Sequence, residues 1–257
     1  MAQLVFNRYE KKYLMPEAIY QLLRARLSRY METDSYGLHT ICNIYYDTAD
    51  DLLIRRSLEH PVYKEKLRVR SYGVPDEDSQ VFVEIKKKYK GIVNKRRVQM
   101  RLPEAMNYLD GETSQPEGSQ INQEIDFFLK RYRLLPRLYL AYDRVALFGK
   151  EDPEFRVTFD RRIRYRREAV RLEAGDQGEY LLPEGWVLME SKIQGAAPLW
   201  FSQLLSELSL YQTSFSKYGN IYRKEHGAWN PKEMMLHRFE NWNHLLINEE
   251  KKGKSVC

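Results

Sequence analysis

The chain has 257 residues, 43% hydrophobic and 30% charged, so it holds enough apolar side chains for a buried core and is not a disordered polyelectrolyte. Its formal net charge of +6 favours an anionic partner: phosphates, nucleic acid or a membrane surface. Two cysteines, Cys42 and Cys257, make no disulfide framework and fit a reducing, cytoplasmic setting. No run reaches the roughly 18 apolar residues of a membrane span, and the N-terminal stretch lacks the apolar region of a secretory signal.

Strand periodicity begins at once: in LVFNRYEKKY one face reads Leu4, Phe6, Arg8, Glu10 and Lys12. PEAIYQLLRARLSRYM then predicts a helix opening at Pro16, with Ile19, Leu22, Leu23 and Leu27 at helical spacing. ICNIYYD (41–47) is a strand, and ADDLLIRRSLE a short helix. In YKEKLRVRSYG, Lys66, Arg68 and Arg70 oppose Leu67 and Val69. VFVEIKKKYKG sets Glu84, Lys86 and Lys88 against Val81, Val83 and Ile85; VNKRRVQMRL sets Arg97, Gln99 and Arg101 against Val98, Met100 and Leu102. LDGETSQPEGS (109–119) is the clearest loop. SQINQEIDFFLKRYRLL follows as a helix with Ser119 placed to cap it. LYLAYDRVAL brings Tyr142 and Arg144 to one face, FRVTFDRR aligns Arg156, Thr158 and Asp160, and WVLMESKIQG aligns Glu190 with Lys192. PLWFSQLLSELSLY predicts a further helix, and residues 229–257 a helical tail after a main domain of 1–228.

Seven of these eight strands carry a marked face, which gathers twelve cations (Arg8, Lys12, Lys66, Arg68, Arg70, Lys86, Lys88, Arg97, Arg101, Arg144, Arg156, Lys192) and four carboxylates (Glu10, Glu84, Asp160, Glu190), a surplus of eight positive charges. The amphipathic helices need apolar surface to cover, and the aliphatic strand faces supply it. With helices outside a curled sheet, the cationic face turns inward. So much like charge cannot sit dry and unpaired. The expectation is an α+β fold: a tunnel of about eight strands, wet inside, built for a polyanion, with a few carboxylates to hold a divalent metal. The alternative is a set of ordinary solvated sheet faces.

RYEKKY, IYYDT, KLRVRSYG, VFVEIKKKYKG, YDRVAL, FRVTFDRRI, MESKI and FSKYG, in this order over residues 5–225, resemble the catalytic domain of vacuolar transporter chaperone (VTC) proteins, polyphosphate polymerases of the triphosphate tunnel metalloenzyme (CYTH-like) superfamily. The resemblance implies that the strands of the tunnel are antiparallel. It also implies metal-dependent transfer of the ATP γ-phosphoryl group to a growing polyphosphate chain, with Mn²⁺ or Mg²⁺ as cofactor and ATP, inorganic phosphate and polyphosphate as ligands. Position by position it implies Arg68, Arg70, Lys86, Arg144 and Arg156 as catalytic clamps and Lys12, Tyr142, Lys192 and Lys217 as substrate contacts. Lys66 lies on the same strand face as the two clamp arginines. One of Lys95 and Arg97 matches the next basic position, and one of Arg55 and Arg56 comes from the short helix. Glu190 matches the metal-binding glutamate, with Glu10 and Glu84 as further candidates. One departure is on the first strand, where Arg8 stands in place of a carboxylate of the superfamily's ExExK pattern. This favours a polymerase that binds a long anion over a two-metal hydrolase.

Rival readings are a tunnel-fold triphosphatase, which needs nearly the same residues, and a non-catalytic binder of polyphosphate or nucleic acid. Nucleic acid is not expected, because single-strand binders interleave aromatics with cations and the marked face reads as nearly free of rings. The five histidines are scattered without metal-ligand spacing, and no P-loop or GxGxxG pattern is present. The basic run RRIRYRREAVR (161–171) reads as a solvated strand or loop, with an electropositive rim as its functional alternative.

Overall fold

The computed structural model describes residues 8–90, 92–112, 119–235, 242 and 245, with Arg8 described in its backbone alone. Leu4 and Phe6 of the expected first strand lie outside these residues. Among these residues ten strands make one sheet: β1 (Arg8–Pro16), β2 (Met31–Thr33), β3 (His39–Asp47), β4 (Tyr63–Tyr72), β5 (Gln80–Tyr89), β6 (Ile92–Arg101), β7 (Leu135–Gly149), β8 (Arg156–Arg166), β9 (Glu179–Tyr180) and β10 (Trp186–Gln194). The helices are α1 (Glu17–Leu27), α2 (Leu52–Leu58), α3 (Leu102–Leu109), α4 (Gln120–Arg131), α5 (Leu199–Glu207) and α6 (Lys217–Glu225). The main path runs β1-β10-β8-β7-β3-β4-β5-β6, every pairing on it antiparallel, with β2 added to β7 and β9 to β8. The eight expected strands are those of the main path. Pro16 still pairs in β1 with Trp186, so α1 starts one residue after the expected opening.

The sheet does not close: among the described residues β1 and β6 are its two edges. It curls instead. Register shifts between Tyr45 and Tyr46 on β3, and between Ala141 and Asp143 on β7, mark the bulges that bend strands. The curl brings β1 and β10 across from β5, so that Glu10, Lys12 and Glu190 share an electrostatic neighbourhood with Lys86.

Strand alternation delivers the aliphatic faces outward, and the helices cover them. Leu67 and Val69 of β4 and Val81, Val83 and Ile85 of β5 are fully buried against Ala105 and Tyr108 of α3 and Ile125 and Phe128 of α4. Phe159, Val187 and Met189 belong to the larger cluster with Ile19, Tyr20 and Leu23 of α1 and Phe201 of α5. Each such aliphatic side chain contributes about 1.5–3 kcal/mol when fully buried. Met235 and Trp242 of the tail join this larger cluster, and the Trp242 indole donates to the Leu208 carbonyl at 2.9 Å. No helix among the described residues is long and apolar enough to cross a membrane.

Candidate functional site

Opposite the aliphatic face, the strands present charge. Glu84 on β5 is the first centre. It is 1% exposed and lies at register positions facing Arg68 on β4 and Arg97 on β6. The Arg68 guanidinium donates through Nε at 2.7 Å and lies 2.6 Å away through Nη2, both at Oε2, while Lys95 Nζ lies 2.7 Å from Oε1. Burial opposes this carboxylate's charge, but Arg68, Arg70 and Lys95 outweigh it and hold the pKa down at about 2. Arg68 also donates to the Tyr45 hydroxyl at 2.9 Å. Arg70 donates to Asn43 Oδ1 at 3.0 Å and to the Tyr142 hydroxyl at 3.2 Å, and Asn43 in turn donates to the Leu140 carbonyl. Both guanidiniums are thus fixed in place by neighbours on β3, β5 and β7.

Asp160 on β8 is the second centre, fully buried. It accepts a bidentate pair from Arg144, 2.6 Å from Nε and 2.8 Å from Nη2, and an ion pair from Lys217 at 2.6 Å. Lys217 opens α6, whose N-cap Ser216 accepts from the Gly219 amide. Its neighbour Tyr218 donates to Asp47 at 3.0 Å and packs on Tyr45, which pins the start of α6 over the sheet.

The third centre is a carboxylate pair. Glu10 and Glu190 come together across the β1–β10 ladder, with Lys12 Nζ 3.0 Å from Glu10 and 3.7 Å from Glu190, and Lys192 Nζ 3.3 Å from Glu190. Burial and mutual repulsion raise the Glu10 pKa, yet Lys12 and Lys86 bring it below the ordinary carboxylate value. Glu190 is buried as well, and Lys192, Lys12, Lys217 and Arg144 hold it far down. Both are therefore anionic at neutral pH.

The cations exceed these counter-charges. Burial first, then Lys86, Lys64 and Lys12, push Lys66 down to about 8. Burial, with Arg68 and Arg70, pushes Lys95 to about 8 despite Glu84. Lys86 is lowered by burial and by Lys12 and Arg68. Burial works against ionisation of Tyr45 and Tyr142, yet Arg68 beside the first and Arg70 and Arg144 beside the second pull both phenols below their ordinary value. A surface that lowers lysines and phenols together is short of negative charge.

The structure therefore brings together Lys12, Lys66, Arg68, Arg70, Lys86, Lys95, Tyr142, Arg144, Lys217, Glu10, Glu84 and Glu190. Arg156 and Lys192 lie beside each other in register at the end of this face, Arg156 exposed. Arg97 stacks its guanidinium 4.4 Å over Phe82. Of the pair left open in the sequence, both point to this face, and Lys95 is the one on Glu84. Arg55 and Arg56 are not brought to the cluster: both are exposed, Arg55 bonds back to Asp50, and Arg56 is near enough to Tyr132 to act on its phenol electrostatically. Glu84 stands apart from the Glu10–Glu190 pair, both oxygens taken by cations.

Two expectations change. The marked face is not nearly free of rings: besides Tyr142, already expected there, Tyr45, Tyr72 and Phe82 lie on it, because β3, the end of β4 and the start of β5 contribute residues whose parity the cation count ignored. Tyr45 and Tyr142 are buried and serve as acceptors and ring faces for Arg68, Arg144 and Lys217. The basic run 161–171 is a strand and loop as expected, Arg161–Arg166 belonging to β8, but it is only partly solvated, and its bound arginines do not form an open rim. Arg164 is buried on Asp143 and Asp176, Arg166 donates to the carbonyls of Ala169, Arg171, Gly175 and Gln177, and Arg167 binds Glu225 and Asp51. These cations tie down the 167–178 loop. Sequence reasoning used Asp160 only as one charge of the face and passed over Asn43, Tyr45 and Tyr218; their parity was legible, but their roles depend on which residue lies across the ladder.

Among the described residues no group of three or more His, Cys, Asp or Glu side chains is arranged to hold a metal. The Glu10–Glu190 pair nonetheless has the chemistry to hold a hard divalent cation, which binds through one or two carboxylates and takes its remaining oxygens from phosphates and water.

The model of the VTC domain matches residues 7–226. Among solved structures, a "putative adenylate cyclase" from Bacillus halodurans has 15% identity and a TM-score of 0.50, covering 80% of this chain and 92% of its own. A second "putative adenylate cyclase", from Vibrio parahaemolyticus, has 12% identity and a TM-score of 0.50, covering 86% of this chain and 99% of its own. At these identities the likeness is one of fold. No curated protein matches the chain. The family model spans the whole of the curled sheet and every centre on its inner face, and the chain, which shares its fold with these two structures, belongs to the VTC domain family.

Proposed function

We propose that the protein is a polyphosphate polymerase, transferring the γ-phosphoryl group of ATP to the terminal phosphate of a growing polyphosphate chain. The observation that carries this reading is the uncompensated cationic inner face, in which Arg68, Arg70, Arg144 and Lys217 are held rigidly by Glu84, Asn43 and Asp160 with donor capacity left over. Phosphoryl transfer asks little covalent help of a protein; alignment and charge neutralisation supply most of the catalysis. Arg68 and Arg70 are placed to clamp the triphosphate through their remaining N–H donors. Arg144 and Lys217, preset by Asp160, stabilise charge on the transferring group. Lys12, Lys66 and Lys86 line the path of the polymer, and Arg156 and Lys192 its mouth. A Mn²⁺ or Mg²⁺ held by Glu190 and Glu10 would neutralise non-bridging phosphate oxygens. The nucleophile is a phosphate oxygen of the acceptor, so no side-chain nucleophile is required.

Arg68→Ala and Glu190→Ala test the reading. Both lose polymer synthesis, the first by losing the clamp and the second with loss of metal dependence. Full activity in Arg68→Ala contradicts it. A binder without catalysis would tolerate Glu190→Ala and turn over no ATP in the wild type.

A further inference from the structure

The inner face ends, where β3 begins and β4 closes, in a wall of rings. His39, Tyr72 and Phe82 stand there, with Tyr36 just before β3. Successive ring centroids lie 6.0 Å apart for Tyr36 and His39, 6.0 Å for His39 and Tyr72, and 5.7 Å for Tyr72 and Phe82, the first and last pairs edge-to-face. None of the four belongs to either hydrophobic core. Tyr72 is 53% exposed and Tyr36 78% exposed. Rings that neither pack in a core nor cover one leave a face open to solvent, on the same side of the sheet as the guanidinium clamp.

The wall adjoins that clamp directly. Phe82 is the register partner of Arg70, and Tyr72 lies two residues beyond Arg70 on the same strand face. Two residues of strand span about 7 Å, enough for a ribose between a stacked base and the first phosphate. The buried tyrosines of the inner face, Tyr45 and Tyr142, have no free face to offer; Tyr72, at this mouth, is exposed.

We propose that Tyr72, with His39 and Phe82 bracing it, is the stacking platform for the base of a nucleoside triphosphate, oriented so that the phosphates run inward to Arg70, Arg68 and Arg144. This rests on the reading of the inner face as a nucleotide-dependent triphosphate site. It adds a polarity to the tunnel: the nucleoside stays at the aromatic mouth, and the chain grows away from it, toward Lys66 and Lys86. Base–aromatic stacking is lost on alanine substitution at a cost equivalent to about five- to a hundred-fold in affinity.

The test is calorimetric titration of wild type, Tyr72→Ala and Tyr72→Phe with the β,γ-imido analogue of ATP and, separately, with inorganic triphosphate, so that turnover plays no part. The expected result is weaker binding of the nucleotide to Tyr72→Ala by at least about five-fold, unchanged binding of inorganic triphosphate, and wild-type behaviour of Tyr72→Phe. Unchanged inorganic triphosphate affinity also reports that the variant is folded. Equal losses for both ligands, or no loss for either, overturn the stacking platform while leaving the triphosphate site standing. Failure of the wild type to bind either ligand overturns the site and the platform together.

Discussion

Glu84→Gln separates a structural counter-ion from a metal ligand. The glutamate pKa falls from 4.5 to about 2 on folding, and at about 1.4 kcal/mol per unit this gives about 3 kcal/mol of stability at neutral pH. The side chain is 1% exposed, so solvent screening takes little from that figure. Neutralising it leaves Arg68 and Lys95 facing each other with Arg70 close by, and removing one partner of a buried pair costs about 3–5 kcal/mol in general. For a domain of this size about 3 kcal/mol lowers Tm by about 6–12 °C. The assay is thermal unfolding of wild type and Glu84→Gln with and without inorganic triphosphate. A triphosphate neutralises the same cations, so it should raise the Tm of the variant more than that of the wild type. The depressed pKa also sets the pH window: the contribution is present above pH 4.5 and is lost as pH falls toward 2. A variant with the Tm of the wild type, or one that triphosphate stabilises no better, refutes this reading of Glu84.

Other perturbations follow from the same geometry. Asp160→Asn releases Arg144 and Lys217 from a fully buried carboxylate, and should lower both stability, by about 3 kcal/mol, and the rate of phosphoryl transfer; denaturant unfolding with steady-state kinetics checks both. Lys66 and Lys95, held near 8, stay protonated in the unfolded chain up to their ordinary values, so between pH 8 and about 9, below the range where the buried, raised tyrosines begin to ionise in the unfolded chain and oppose them, the unfolded state binds more protons. Lys86 adds in the same direction and Lys12 opposes; ligand-free stability should rise across that window, measured by denaturant unfolding at several pH values. Binding an anion lifts the lowered lysines, so inorganic triphosphate binding near pH 8.5 should take up protons, read from calorimetry in two buffers of different ionisation enthalpy. Tyr218→Phe removes the bond to Asp47 while keeping the ring on Tyr45, and should lower kcat several-fold by loosening Lys217, with inorganic triphosphate affinity little changed.

Much of the fold was legible because period-two alternation is a local signal. All eight main strands and the outward helices α1, α2, α4 and α5 could be read from hydrophobic spacing. The short helices α3 and α6 could not. LPEAMNYL follows β6 without a break, and KYGNIYRKE is too polar to show a stripe; it is held by the Ser216 cap and by Tyr218 reaching Asp47. The charged face was legible as parity, whereas its internal order was not. Glu84 and Glu190 look alike in sequence, each a carboxylate two residues from a lysine on the same face. Register alone distinguishes them, setting Glu84 opposite Arg68 and Arg97 and Glu190 opposite Lys12 and Thr158. The open edge between β1 and β6 likewise depends on curvature, which the bulges at Tyr45 and Ala141 set and composition does not express.

The most direct measurement is the ratio of polymeric phosphate formed to ADP released when the purified protein is incubated with ATP and Mn²⁺, products being resolved on a gel stained for polyphosphate with free phosphate assayed alongside. A polymerase gives polymer matching ADP, with both falling in Glu190→Ala. Free phosphate matching ADP, without polymer, would contradict it and assign the same inner face to triphosphate hydrolysis.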